Sequence, residues 1–100
     1  MASDDAAVRY FRRRWTETRG DRGDAWGHSW WYFATDEDGV VRKQVEVYDN
    51  GCVLVYDDQH PEDEFGRLSE APLDLTEFAV FEVDLATFER EAGTRERDTG

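Results

Sequence analysis

The chain has 100 residues, a size that holds one domain with a modest core. An aromatic share of 14% supplies large buried area per residue and argues against global disorder, despite 36% charged residues. A net charge of −12 repels phosphate backbones, a single cysteine excludes an internal disulfide or a Cys-rich zinc site, and no apolar run approaches the roughly 20 residues of a membrane helix.

Residues 1–7 hold two aspartates and no apolar stretch, so they read as a flexible tail and not as a signal peptide. With the lone thiol, this sets the expected location in the cytoplasm. Residues 8–92 are expected to form the domain. Val8 to Thr16 reads as a strand, because Val8, Tyr10, Phe11 and Trp15 are β-formers and the run lacks Gly and Pro. The i, i+3, i+7 spacing of Val8, Phe11 and Trp15 leaves a helix as the alternative. Arg19 to Asp24 is a loop by composition. Trp26 to Thr35 is too short for a helix and too aromatic for a loop, which makes it a strand. Asp36 to Gly39 is a turn, with Gly39 where a positive φ is needed. From Val40 to Tyr48 the pattern alternates, with Val41, Lys43, Val45 and Val47 on one face and Arg42, Gln44, Glu46 and Tyr48 on the other. Asp49-Asn50-Gly51 predicts a type I′ hairpin returning along Cys52 to Asp57, so that residues 26–57 make a three-stranded antiparallel meander. Asp58 to Pro72 is an irregular acidic loop, and Phe78 to Val83 a short strand. Asp84 is positioned to cap a final helix from Leu85 to Ala92, with Gly93 as its stop and Leu85 and Phe88 facing the sheet. Residues 93–100 read as a second flexible tail. The expected fold class is α+β: a twisted antiparallel sheet of four to five strands with one C-terminal helix packed on a face.

Charge is unevenly placed along this plan. Residues 1–23 hold six Arg against four acids, whereas residues 24–84 hold sixteen acids against three bases. Such a field attracts a basic partner, or else only keeps the protein soluble. The acids singled out for steering are Asp58, Glu62, Asp63 and Glu64, with the turn Asp36 to Asp38 beside them. Trp30 and Trp31 point to opposite faces of a strand. One ring is expected in the core beneath the C-terminal helix and the other on the far face beside Phe33 or Tyr32. That far face is a binding surface, a homodimer interface, or is covered by a loop. Arg12 and Arg14 face one way and Arg13 the other. They pair across strands with acids such as Glu46, or Arg12 and Arg14 with His28 form an anion or ligand contact. His60 lies among acids that suit a divalent cation, yet no spacing matches a known metal motif, so no metal and no cofactor is expected. Cys52 is expected to pack as a small apolar residue. Neither a Gly-rich phosphate loop nor a Gly-x-Ser-x-Gly elbow is present.

Three pieces of the chain carry a resemblance. They are Tyr10-Phe11-Arg12-Arg13-Arg14-Trp15, then Val41 through Gly51, then Phe81-Glu82-Val83-Asp84 with Phe88-Glu89. Together they resemble a family of short uncharacterised bacterial proteins common in actinobacteria. In that family a strand ending near Arg-x-Arg-Trp precedes a Val-Arg-x-Val-Glu-Val-Tyr-x-x-Gly hairpin, and a Phe-Glu element closes the domain. The bias of eleven Arg to one Lys suits the same GC-rich source. The resemblance implies a fold and no activity. The leading functional reading is a non-catalytic acidic protein-binding module of immunity or inhibitor type, which neutralises a basic protein partner and anchors it on Trp30, Trp31 or Tyr32. The rival is a small enzyme or small-molecule-binding protein whose aromatic sheet face forms the pocket, with Arg12, Arg14 and His28 as polar contacts.

Overall fold

A computed structural model describes residues 8–16, 26–64 and 66–93. The expected tail at 1–7, the Arg19 to Asp24 loop and all of the expected 93–100 tail but Gly93, which ends a π-helical turn, lie outside the described residues. Five strands form one antiparallel sheet: β1 (Arg9–Trp15), β2 (Ser29–Thr35), β3 (Val41–Tyr48), β4 (Val53–Asp57) and β5 (Glu82–Val83), in the order β4-β3-β2-β1-β5. Between β4 and β5 lie α1 (Leu75–Phe78) and a 3-10 turn, Ala79–Phe81. After β5, α2 (Leu85–Phe88) widens into one π-helical turn, Glu89–Gly93. The expected strand from Phe78 to Val83 is therefore mostly helical turn, with only its last two residues paired to Tyr10 and Phe11 of β1.

The hairpin between β3 and β4 is not of type I′, which needs positive φ at both central residues. Among the described residues, only Gly27, Gly39 and Gly51 have positive φ. Gly51 N–H donates to the Tyr48 carbonyl at 2.9 Å, and Tyr48 N–H donates to the Cys52 carbonyl at 2.9 Å. That is a turn of right-handed residues closed by a glycine bulge. Asn50 has a competing use for its side chain: its Oδ1 accepts from Cys52 N–H at 2.9 Å. The turn between β2 and β3 follows the same plan, with Gly39 N–H on the Asp36 carbonyl and Gly39 at φ +88°.

One bulge changes which side chains share a face. Lys43 pairs with Ala34, but Thr35 pairs with Val41, so Arg42 is left over in β3. Val41 consequently packs with Phe11 and Phe33 on one face, while Val45 and Val47 pack on the other. The face carrying Gln44, Glu46 and Tyr48 is buried as well, with Glu46 at 3% exposure. Both faces of the sheet are covered. The C-terminal helix lays Phe88 and Ala92 against Tyr32, Ala34, Val45 and Val47, with the Phe88 ring 5.2 Å from Tyr10. The opposite face is packed by Leu68, Leu73, Leu75 and Phe78. Asp84 caps α2 as its position suggested, its Oδ1 accepting from Thr87 N–H at 2.8 Å. Leu85 does not face the sheet: it is 47% exposed, and the wide turn brings Ala92 into the core in its place.

Candidate functional site

The residues singled out from the sequence fall at two opposite ends of the sheet. Trp30 is the second residue of β2 and Asp36 follows its end, so about 20 Å separates them at roughly 3.3 Å per residue.

At the first end, Trp30 lies on the helix-bearing face but beside the helix, 36% exposed. The guanidinium carbons of Arg12 and Arg14 sit 5.2 and 5.5 Å from its ring centre. This follows from strand alternation, since Arg14 pairs with Trp30 and Arg12 with its neighbour on the same face, Tyr32. Each guanidinium is held by a carboxylate from outside the strand. Arg12 Nη1 donates to both Glu91 oxygens at 2.9 and 3.0 Å, and Tyr32 donates to the same carboxylate at 3.1 Å. Arg14 Nη2 donates to the two oxygens of Asp49 at 3.1 and 3.3 Å, and Asp49 also accepts from the His28 backbone N–H at 3.0 Å. The Arg12 guanidinium is raised further above its usual range by its bond to Glu91. Burial works against the charged form of Glu91, but the donors Arg12 and Tyr32 outweigh it and hold the carboxyl below its ordinary value. The anion clamp read into Arg12 and Arg14 is thus filled by the chain's own carboxylates.

Trp31 takes the far face beside Phe33, as alternation required, with ring centres 5.9 Å apart and its Nε1 donating to Ser29 Oγ at 2.8 Å. Tyr32 is core, 6% exposed. Arg13 lies over the Phe78 and Phe81 rings at 5.2 and 4.9 Å, with Glu77 at 3.5 Å. Glu46, singled out as a cross-strand acid for the arginines, is turned into a buried network. Its carboxylate accepts from Gln44 at 2.9 Å and from the Tyr48 hydroxyl at 2.6 Å, and Gln44 in turn binds the backbone of Arg67 and Ser69 at 3.2 and 3.0 Å. This network fixes the 67–69 segment on the sheet. The only trace of it in the sequence is three polar or polar-tipped residues at every second position of a strand.

The second end is acidic. Turn 36–39, the loop after β4 and the stretch around Glu70 converge there. Arg42, the bulged residue, reaches Asp36 at 3.4 Å and Asp58 at 3.8 Å, and Leu73 N–H donates to the Gly39 carbonyl at 2.9 Å. Some of the acids are spent on local structure. Asp36 accepts from Asp38 and Val40 N–H at 2.9 and 3.0 Å. Burial pulls its carboxyl up, but these donors and Arg42 hold it below the usual range. Asp57 caps the turn to His60, and Asp63 accepts from the Tyr56 hydroxyl at 2.9 Å and from Gly66 N–H at 3.2 Å. Glu37, Asp38, Asp58, Glu62, Glu64 and Glu70 are exposed, and Asp58, Glu62 and Glu70 line an open recess of about 370 Å³ together with Val41 and Leu68. Buried Arg42 Nε has no hydrogen-bond partner among the described residues.

His60 belongs to this end and His28 to the other. Cys52 packs beside Tyr48, Leu54 and Tyr56 as a small apolar residue. Among the described residues no three His, Cys, Asp or Glu side chains are grouped for a metal, and no helix is long and apolar enough to cross a membrane. Beside the acidic recess, a second one of about 270 Å³ is lined by Tyr10, Lys43, Leu85 and Phe88. No family model matches the chain, and no curated protein and no solved structure shows significant similarity to it.

Proposed function

We propose that the protein is a non-catalytic, acidic protein-binding module, of immunity or inhibitor type, that captures a basic protein partner in the cytoplasm. Membership of the actinobacterial family it resembles is part of the same proposal. The observation that carries the reading is the convergence of turn 36–39, loop 57–64 and the stretch around Glu70 at one end of the sheet, where exposed carboxylates outnumber Arg42 and Arg67. A concentrated field of one sign steers an oppositely charged partner and selects against acidic ones. The Trp30 end lies too far away to belong to the same small epitope, so the apolar anchor at the acidic end is the half-buried Leu68.

The test is a titration with a basic protein, lysozyme serving as the probe, at two salt concentrations. The variant neutralises Glu37, Asp38, Asp58 and Glu62, which leaves the structural Asp36, Asp57 and Asp63 intact. Binding by the wild type should weaken steeply with salt, and the variant should lose about tenfold or more in affinity, since each rim charge contributes a few tenths to 1 kcal/mol. Equal affinities for the two proteins would refute the reading.

A further inference from the structure

We infer that the outer edge of β4 takes an extended, positively charged segment of the partner as a sixth strand, an inference that rests on the acidic-module reading above and specifies its mode. The argument starts from ladder parity. In an antiparallel pair, residues facing each other alternate between exchanging both backbone bonds and exchanging none. Tyr48 donates to Cys52, which makes that pair a bonded one. Counting along the register, Glu46 with Leu54 and Gln44 with Tyr56 are bonded, while Val47 with Val53, Val45 with Val55 and Lys43 with Asp57 are not. The backbone groups of Val53, Val55 and Asp57 therefore point away from β3. Those of Asp57 are taken by His60, at 3.1 and 3.2 Å. The N–H and C=O of Val53 and Val55 face outward with no backbone partner among the described residues.

The two edges of the sheet are protected differently. Among the described residues β5 covers β1 only at Tyr10 and Phe11, and the next stretch of β1 carries Arg12, Arg13 and Arg14. Charged side chains on an edge discourage strand addition. From Val53 to Tyr56 there is no charge, proline, glycine or bulge. Such an edge is a template for a strand, and main-chain bonds supply the affinity of strand addition.

Charge selects the occupant. Asp57 and Asp58 stand at the C-terminal end of β4, beside the acidic turn and loop, whereas Asp49 at the hairpin end is already held by Arg14. A second copy paired across this edge would join two chains of net charge −12. A segment with β-branched residues flanked by Lys or Arg meets opposite charge at the Asp57–Asp58 end and continues the apolar row of Val53 and Val55.

The probe is the peptide Arg-Lys-Val-Thr-Val-Lys-Arg, with residue-resolved amide hydrogen exchange as the readout. Saturating peptide should slow exchange at Val53 and Val55 about tenfold or more, while Leu54 and Tyr56, already bonded to β3, change little. The same peptide N-methylated at both valines should bind about tenfold more weakly, a control that leaves the protein untouched. Val55→Pro, which removes only an outward N–H, should weaken binding similarly without loss of the fold. Peptide that fails to bind, binds without protecting Val53 and Val55, or binds equally when N-methylated overturns strand addition. So does a dimer in which these amides are already protected. If neutralising Glu37, Asp38, Asp58 and Glu62 still abolishes binding of the basic protein while the two amides stay unprotected, the acidic module stands and the sixth strand falls.

Discussion

Glu91 shows how single residues hold this protein's outer layer. It joins the π-helical turn to β1 through Arg12 and to β2 through Tyr32, so one carboxylate ties the C-terminal helix to two strands. Its carboxyl is held low in the folded state, so the unfolded chain binds the proton more readily. The stabilisation is present above the ordinary value of 4.5 and is lost as pH falls through the lower folded value. Glu82, held low by its hydrogen bond from Arg9, acts with the same sign. Glu91→Gln should cost about 1 kcal/mol between pH 5 and 7, and the gap from wild type should close toward pH 3. Thermal melts across that range check this, and a gap unchanged at pH 3 would contradict it. None of this was legible in the sequence, because Arg12 and Glu91 are 79 positions apart and nothing local joins them. What was legible was the alternation that puts Arg12 and Arg14 on the face of Trp30.

At the scale of elements, the two glycine-closed turns look alike and should respond differently. Gly39 sits at φ +88°, and a Cβ there would lie 2.7 Å from the Leu73 carbonyl oxygen, the neighbour that docks the covering segment. Gly51 sits at φ +95° with nothing within 4 Å of such a Cβ. Gly51→Ala should cost about 1 kcal/mol of backbone strain, and Gly39→Ala about 3 kcal/mol, because strain and a backbone clash add. Urea midpoints measure both, and equal losses would show that the Leu73 contact does not matter. In the C-terminal helix, Phe88→Ala should cost about 3–5 kcal/mol, whereas the exposed Leu85→Ala should change stability by less than about 0.5 kcal/mol. Strands β1 to β4 and the Asp84 cap were readable from β-propensity, period and capping chemistry. The bulge at Arg42 was not, because one inserted residue leaves the period-two pattern looking intact while moving Val41 to the other face. The helical turns from Leu75 to Phe81 are not legible in the sequence, because they carry only a short helical signal and their apolar residues serve the sheet and not the helix.

For the whole molecule, charge was the feature most directly legible, and folding concentrates it. The acidic stretch and the acidic turn, twenty residues apart in sequence, meet at one end of the sheet through Arg42. The aromatic excess meets a different fate: the rings fill both faces, and the exposed Trp30 stands at the opposite end. The central claim is that a basic partner docks at the acidic end and along β4. Amide chemical-shift mapping by NMR during titration with the Lys- and Arg-flanked peptide tests it most directly. Shifts are expected at 36–38, 53–58, 62–64 and 66–70, with those around Trp15 and Trp30 unmoved. Shifts centred on Trp15, Trp30 and Asp49, with the acidic end silent, would contradict it.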